Sequence, residues 1–299
     1  MKKLIILLFL ITTIAAQNLK VTSIEKINVD GDFYYPQFGL QENEIYFTKT
    51  NYQGIYKLDL NSNQVKILND DLSSGYEFVI VNERIYYRAE EIINNRRFFK
   101  YVEQNLNSLQ KNDLSDFERN ISTPKIFGNQ LVKVNADNQF ENLKTTSAFQ
   151  KANSKNVLIA NNKLLVNDES GIRELNIFDN GYYLWASLSP DQEKILFHYS
   201  GKGTFVSDLQ GNIIKELGNA NYPSWSSDGN YIIYMNDEDD GHQVLSSDVI
   251  LYNYQSDEVQ NLTSQFDDLA MFPRMSNQMN KIVFSDMNGG LYIINLISE

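Results

Sequence analysis

The chain of 299 residues offers little with which to do covalent chemistry: two His, no Cys and one dense acidic cluster. His198 ends the apolar run Ile195-Leu196-Phe197, and His242 lies in the acidic stretch. Nucleophilic catalysis needs a base within reach of the nucleophile and a third group to orient it. No Gly-x-Ser-x-Gly elbow occurs, so the two histidines read as hydrogen-bonding groups at a strand end and in a loop. The cluster is Asn236-Asp237-Glu238-Asp239-Asp240-Gly241. Asn236, Glu238 and Asp240 fit the first, third and fifth ligand positions of a calcium loop, with Gly241 sixth. The twelfth position is Ser247, where such a loop needs a bidentate Glu. A solvated hairpin loop is therefore expected, with calcium as the alternative and no other cofactor. Gly201-Lys202-Gly203 and Gly289-Gly290 fall between strands, whereas phosphate cradles open helices.

The elements that must position these residues are strands. Gly, Asn and Asp punctuate short runs rich in Ile, Val, Tyr and Phe from end to end, a turn-and-strand composition. Only Val102, Leu106 and Leu109 have helical spacing, and a strand followed by a long loop fits 101–119 equally. A unit recurs. Tyr222-Pro223-Ser224-Trp225-Ser226-Ser227-Asp228-Gly229 leads into Tyr231-Ile232-Ile233-Tyr234. Phe272-Pro273-Arg274-Met275-Ser276-Asn277 leads into Lys281-Ile282-Val283-Phe284. Ser187-Leu188-Ser189-Pro190-Asp191 leads into Lys194-Ile195-Leu196-Phe197, and Tyr35-Pro36-Gln37-Phe38 into Glu44-Ile45-Tyr46-Phe47. Weaker copies begin near Tyr76, Pro124 and Ser147. A sheet of about 40 residues cannot bury both of its faces alone, and radial stacking of such sheets solves that problem.

The pattern Pro-x-Trp-Ser-x-Asp-Gly, followed by Ile-Ile-Tyr and later by Val249-Ile250-Leu251-Tyr252-Asn253, resembles the TolB-like β-propeller repeats of exported bacterial proteins. Residues 184–299 carry it well, 35–68 moderately and 70–180 faintly. Gln192 stands where the turn Gly is expected, and Asn277-Gln278 replaces Asp-Gly. The motif is structural, so the resemblance implies a fold and no active site: all-β, a propeller of four-stranded antiparallel blades, seven rather than six. The short spacing from 122 to 147 is what keeps six open. Some propeller lyases that cleave uronate sugars build a metal site from several His, and two are too few for a close copy.

Composition sets the remaining bounds. With 26 basic and 38 acidic side chains the formal charge is −12, and 42% of residues are apolar. That suits a globular protein and disfavours nucleic acid and anionic membranes, whose phosphates the field repels. Met1-Lys2-Lys3, the mostly apolar run Leu4–Ile14 and Ala15-Ala16 read as a secretory signal over 1–16. The propeller then occupies 17–299, exported to the periplasm or beyond. No second long apolar run appears, so no membrane span is expected, and a monomer is. The strand-like segment 19–27 is expected to close the ring on the last repeat, 271–296. The expected function is a non-enzymatic scaffold that binds a protein, peptide or glycan in the cell envelope. Its docking face would combine the long loops Arg88–Asn95 and Asn236–Ser247, with Asp237, Glu238, Asp239, Asp240, Tyr86, Tyr87 and Tyr234. The alternative is a carbohydrate-active hydrolase or lyase using carboxylates in the central channel, which paired inward-facing acids about 5–9 Å apart would mark.

Overall fold

A computed structural model describes residues 19–119, 121–127, 130–134, 139–146 and 155–298. The segment 1–16 and the repeat start at Ser147 lie outside the described residues. The chain is an all-β, seven-bladed propeller with antiparallel blades. It opens with β1 (Leu19–Lys26). The first blade is β2 (Tyr34–Phe38), β3 (Glu44–Thr48), β4 (Ile55–Asp59) and β5 (Gln64–Asn69). The second is β6 (Val79–Val81), β7 (Arg84–Ile93), β8 (Arg96–Asn105) and β9 (Lys111–Asp113). The third shows β10 (Lys125–Phe127), β11 (Gln130–Val134) and β12 (Phe140–Leu143), and the fourth β13 (Asn156–Ala160), β14 (Lys163–Asp168) and β15 (Gly171–Leu175). The fifth is β16 (Tyr183–Leu188), β17 (Lys194–Tyr199), β18 (Gly203–Asp208) and β19 (Ile213–Gly218). The sixth is β20 (Asn221–Trp225), β21 (Tyr231–Asp239), β22 (Val244–Asn253) and β23 (Val259–Asn261). The seventh is β24 (Met271–Met275), β25 (Lys281–Ser285) and β26 (Leu291–Ser298), with β1 as its outer strand.

Alternation along the second strand of each blade builds the core. In β3, Ile45 and Phe47 face the seventh blade, packing with Val283 and Ile293, while Tyr46 faces the second, packing with Ile85 and Tyr87. The rule repeats around the ring, because successive strand residues point to opposite faces. Each neighbouring pair of blades thus shares one hydrophobic cluster, including the pair formed by the last and the first. β1 pairs with β26 from Leu19↔Ser298 to Lys26↔Tyr292, and Leu19 joins the cluster between blades six and seven.

Six of the strands nearest the axis run from one face, here called upper, to the other. The fourth blade breaks the rule. The backbone N of Lys155 donates to Gln192 Oε1 (3.2 Å), and Asn156 Nδ2 to the carbonyl of Ile126 (3.2 Å). Both partners lie at the lower ends of their blades, so β13 starts below and climbs. This inversion is why the spacing after residue 122 is too short for a regular repeat. The helical reading of 101–119 gives way to β8 and β9, because Val102 pairs with Tyr87 across the β7–β8 ladder.

The lower turns correct the motif alignment by one residue. Gly229, Gln192 and Met279 each donate a backbone N–H to a serine carbonyl three residues back, and their φ values are 74°, 60° and 57°. Met279, not Gln278, therefore stands where Gly229 does. An L-residue in the left-handed region costs about 1–2 kcal/mol, so Met279→Gly is expected to stabilise the fold by about 1 kcal/mol in chemical denaturation. A loss would mean that the Met279 side chain packs for more than its backbone costs. Deleting Leu19–Lys26 is expected to abolish the sharp melting transition or cause aggregation, since it bares the edge of β26 and removes Leu19, Val21 and Ile24 from a core cluster. An unchanged melting curve would show that the ring does not depend on β1.

Candidate functional site

The strands around the axis carry a repeated irregularity. β2, β16, β20 and β24 each slip register by one residue against their neighbours, between Tyr34 and Gln37, Leu184 and Ser187, Asn221 and Ser224, and Met271 and Arg274. In each slip one bulky aromatic has positive φ: Tyr35 at 53°, Trp185 at 51°, Tyr222 at 52° and Phe272 at 55°. Glu77, just before β6, holds the corresponding place at 49°. Bulges re-aim side chains, and bulky residues at positive φ cost of order 1–3 kcal/mol each and cluster at functional sites. Four aromatic repetitions at matched positions make this a designed feature of the axis.

The result is an upper tier of rings. Tyr35 lies 4.0 Å from Phe272 and 6.0 Å from Tyr222 between ring centroids. Tyr222 comes from a blade that does not adjoin that of Tyr35, so these two rings meet at the axis. Trp185 touches Tyr222 at 6.1 Å, while Tyr52 stacks on Tyr35 at 4.5 Å and reaches Tyr76 at 4.9 Å. Two residues further along each strand comes a lower tier. Gln37, Val79, Lys125, Ser187, Ser224 and Arg274 all pair opposite the same position of their second strands. The tiers enclose a cavity of about 310 Å³, which merges through Tyr76, Glu77, Lys125, Trp185 and Ala186 with a larger one of about 580 Å³.

Three cations face this chamber. Arg274 lies flat against Tyr222, 3.7 Å from its centroid, and donates to the carbonyls of Tyr222 (3.2 Å) and Pro273 (3.1 Å). Arg88 lies between Tyr76 (5.4 Å) and Phe99 (5.1 Å) and donates from Nη1 to the carbonyl of Ile121 (2.6 Å). Its Nε is buried without a hydrogen-bond partner, and burial holds its pKa below the usual guanidinium range. Among the described residues neither arginine forms a salt bridge. Lys125 does, with Glu77 at 3.3 Å, and their side chains keep 28% and 35% exposure, so the pair faces the chamber. Burial pushes the Glu77 pKa up, but Lys125 and the hydroxyl of Thr123 (2.8 Å) outweigh it, and Glu77 is held below the ordinary carboxylate range. Tyr76 is pushed up to about 12 by burial and the Glu77 charge, so it stays protonated at neutral pH. Glu77 is the one carboxylate among the described residues lining the two upper cavities. The acid pair that marks two-carboxylate glycoside hydrolysis is not formed there.

His198 lies edge-on to Trp185 at 5.2 Å. Its Nδ1 lies 3.0 Å from the Thr204 hydroxyl, whose only proton goes to the carbonyl of Ala220. With Thr204 donating to Ala220, the tautomer that completes this contact carries its hydrogen on Nδ1 and leaves Nε2 as the acceptor. Burial lowers the His198 pKa, and Asp237 only partly opposes it. The sequence motif read His198 as a strand-end hydrogen-bonding group; its place beside Trp185 emerges only from the fold.

The residues expected on a docking face do not assemble. Tyr86, Tyr87 and Tyr234 are buried core rings, and the first two spend their hydroxyls on Glu103 and Asp71. The expected loops Arg88–Asn95 and Asn236–Ser247 are largely strand, because the β7–β8 and β21–β22 ladders continue past the body of each blade. Asp237 accepts from Asn221 Nδ2 (2.8 Å), Glu238 and Asp239 are exposed on β21, and Asp240 caps the turn by accepting from the backbone N–H groups of His242 and Gln243 (both 2.9 Å). Asn236 and Glu238 share one face of β21 and Asp240 lies beyond it. Among the described residues no three His, Asp or Glu side chains converge as a metal site would require.

No family model and no curated protein matches this sequence, so the TolB-like resemblance rests on the repeat motif alone. The fold is similar to an oligogalacturonate lyase from Vibrio parahaemolyticus, at 12% identity over 94% of this chain and 97% of that one, with a TM-score of 0.58. It is also similar to an oligogalacturonate lyase in complex with manganese, at 8% identity over 91% of this chain and 79% of that one, with a TM-score of 0.46. At these identities the likeness establishes the propeller and nothing about the site.

The lowered Glu77 pKa has a testable sign. A carboxyl depressed by folding stabilises above its unfolded pKa, and that stability is lost as pH falls through the folded value. Glu77→Gln is therefore expected to lower the denaturation midpoint at pH 6–7 and to match the wild type at low pH. A difference that persists below pH 3 would place its origin in packing instead of charge.

Proposed function

We propose that this propeller is a carbohydrate-active protein that takes an acidic oligosaccharide into its axial chamber. The carrying observation is that Arg88 and Arg274 are stacked on aromatic rings and tied to carbonyls, without a carboxylate partner among the described residues. A partly buried guanidinium with no carboxylate in contact has donors to spare for an anion, and Glu77 acts on Arg88 only through its field. Guanidinium forks suit planar carboxylates, where two parallel bonds form. The aromatic tier supplies flat apolar faces for sugar rings, and the chamber is of ordinary ligand-site size. The name of the Vibrio protein, a lyase acting on oligogalacturonate, is consistent with a scaffold that admits uronate chains.

A second reading adds chemistry, favoured by the bare Nε2 of neutral His198. In it Nε2 takes the proton beside a sugar carboxylate that the cations neutralise. The electron pair forms a carbon–carbon double bond and expels the glycosidic oxygen, which receives the proton.

Calorimetry with galacturonate oligomers and with a neutral oligosaccharide of equal length tests the proposal. Binding is expected for the acidic series only, weakened at least tenfold by Arg274→Gln. Equal binding of the neutral chain, or an unaffected Arg274→Gln protein, would overturn it. Ultraviolet absorbance of an unsaturated product, lost in His198→Gln with binding retained, separates lyase from binding protein.

A further inference from the structure

The axial cavity does not stop at the lower tier. The middle cavity shares Lys125, Ala186, Ser187 and Ser224 with a third cavity of about 440 Å³, whose other lining includes Asn156, Gln192 and Trp225. Lys125 and Ala186 line all three cavities. The three cavities thus adjoin in series, from the upper mouth past the Glu77–Lys125 pair to the turns of the lower face.

The lower portion holds three polar groups that the protein does not satisfy. Ser187 Oγ, Ser224 Oγ and Trp225 Nε1 are buried and have no hydrogen-bond partner within the protein. Ser187 and Ser224 occupy matched positions on adjacent blades, and Trp225 follows Ser224 directly. Buried donors are nearly always paired, and a χ1 rotation swings a serine hydroxyl between staggered positions. Three unmatched groups gathered on one cavity mark a place where partners come from outside the chain. Hydroxyls and an indole N–H suit the neutral hydroxyls of a sugar better than a second carboxylate, since the one cation lining this cavity, Lys125, is already paired with Glu77.

We propose that the ligand enters end-on and threads the axis, so that Ser187, Ser224 and Trp225 form a terminal subsite for a sugar beyond those held by Arg88 and Arg274. This rests on the acidic-oligosaccharide reading and sharpens it: the preferred ligand is a linear chain longer than a disaccharide. Two Trp in the chain make the test direct, one per level, Trp185 above and Trp225 below.

Galacturonate oligomers of two to six units are titrated by calorimetry and by tryptophan fluorescence. Wild type and Trp225→Phe are compared, so that the difference spectrum reports the lower level. Affinity is expected to rise about tenfold from the dimer to the longer chains, with the Trp225 signal appearing only for the latter. The Ser187→Ala/Ser224→Ala protein is expected to lose that gain while holding the dimer within twofold. Equal affinity at all lengths with a silent Trp225 would overturn threading and leave the acidic-ligand reading standing. A length gain that survives the double substitution would also overturn it, by placing the extra sugars outside the upper mouth. Failure of every oligomer to bind would remove both readings together.

Discussion

Every blade of this propeller has two apolar faces and can bury neither by itself. That constraint makes the ring. A strand such as β3 sends Ile45 and Phe47 one way and Tyr46 the other, so no subset of blades is satisfied until the last packs on the first. The β1–β26 ladder is where the chain meets this demand through backbone hydrogen bonds, since the N-terminal strand completes a sheet whose other strands come from the C-terminal end. The cores lie between sheets, and the axis is the one place where side chains do not have to pack. Function can be written there without rewriting the fold.

The bulges show how it is written. A regular strand would turn Tyr35, Trp185, Tyr222 and Phe272 into the interblade packing, where β-branched and aromatic residues already fill the space. One extra residue per strand turns them inward instead, at the cost of positive φ on residues that resist it. Three of the four positions precede proline, which excludes the right-handed helical region for the residue before it and narrows the choices left to the backbone. The strain is spread over rigid, well-hydrogen-bonded sheets, which is the condition under which strained residues persist.

Much of this was legible in the sequence, and the failures have physical causes. The recurring serine-headed turn before an apolar triplet reveals the blades, because a turn and a buried strand impose local rules. The same motif misplaces Met279 by one position, since a left-handed φ leaves no mark when glycine is replaced. The blades whose ladders run long hide their hairpins: Glu90 and Arg97 pair across β7 and β8 at 2.6 Å, so polar residues that look like loop are paired strand. Tyr86 and Tyr87 look available beside such a loop and are core instead. The aromatic-proline pairs at 35–36, 222–223 and 272–273 were visible as repeat markers. That their rings converge is a property of circular closure, which no local pattern encodes.

Net charge illustrates the same limit for function. A chain at −12 is expected to repel anions, and at long range it does. The Debye length at physiological ionic strength is about 8 Å, so most of the surface carboxylates do not reach the axis through solvent. Inside the chamber the count is local: Arg88, Lys125 and Arg274 against Glu77. An acidic ligand would approach slowly against the outer field and be held by the inner one. Glu77 then has a specific part to play. It keeps Lys125 paired while the chamber is open, and an incoming carboxylate must compete with it for that ammonium. A weakly acidic sugar chain with several contacts can win that competition where an isolated anion cannot, because the aromatic tier contributes to the first and not to the second. On the proposed reading the protein would discriminate between anions without a deep positive surface, by making charge necessary and ring stacking decisive.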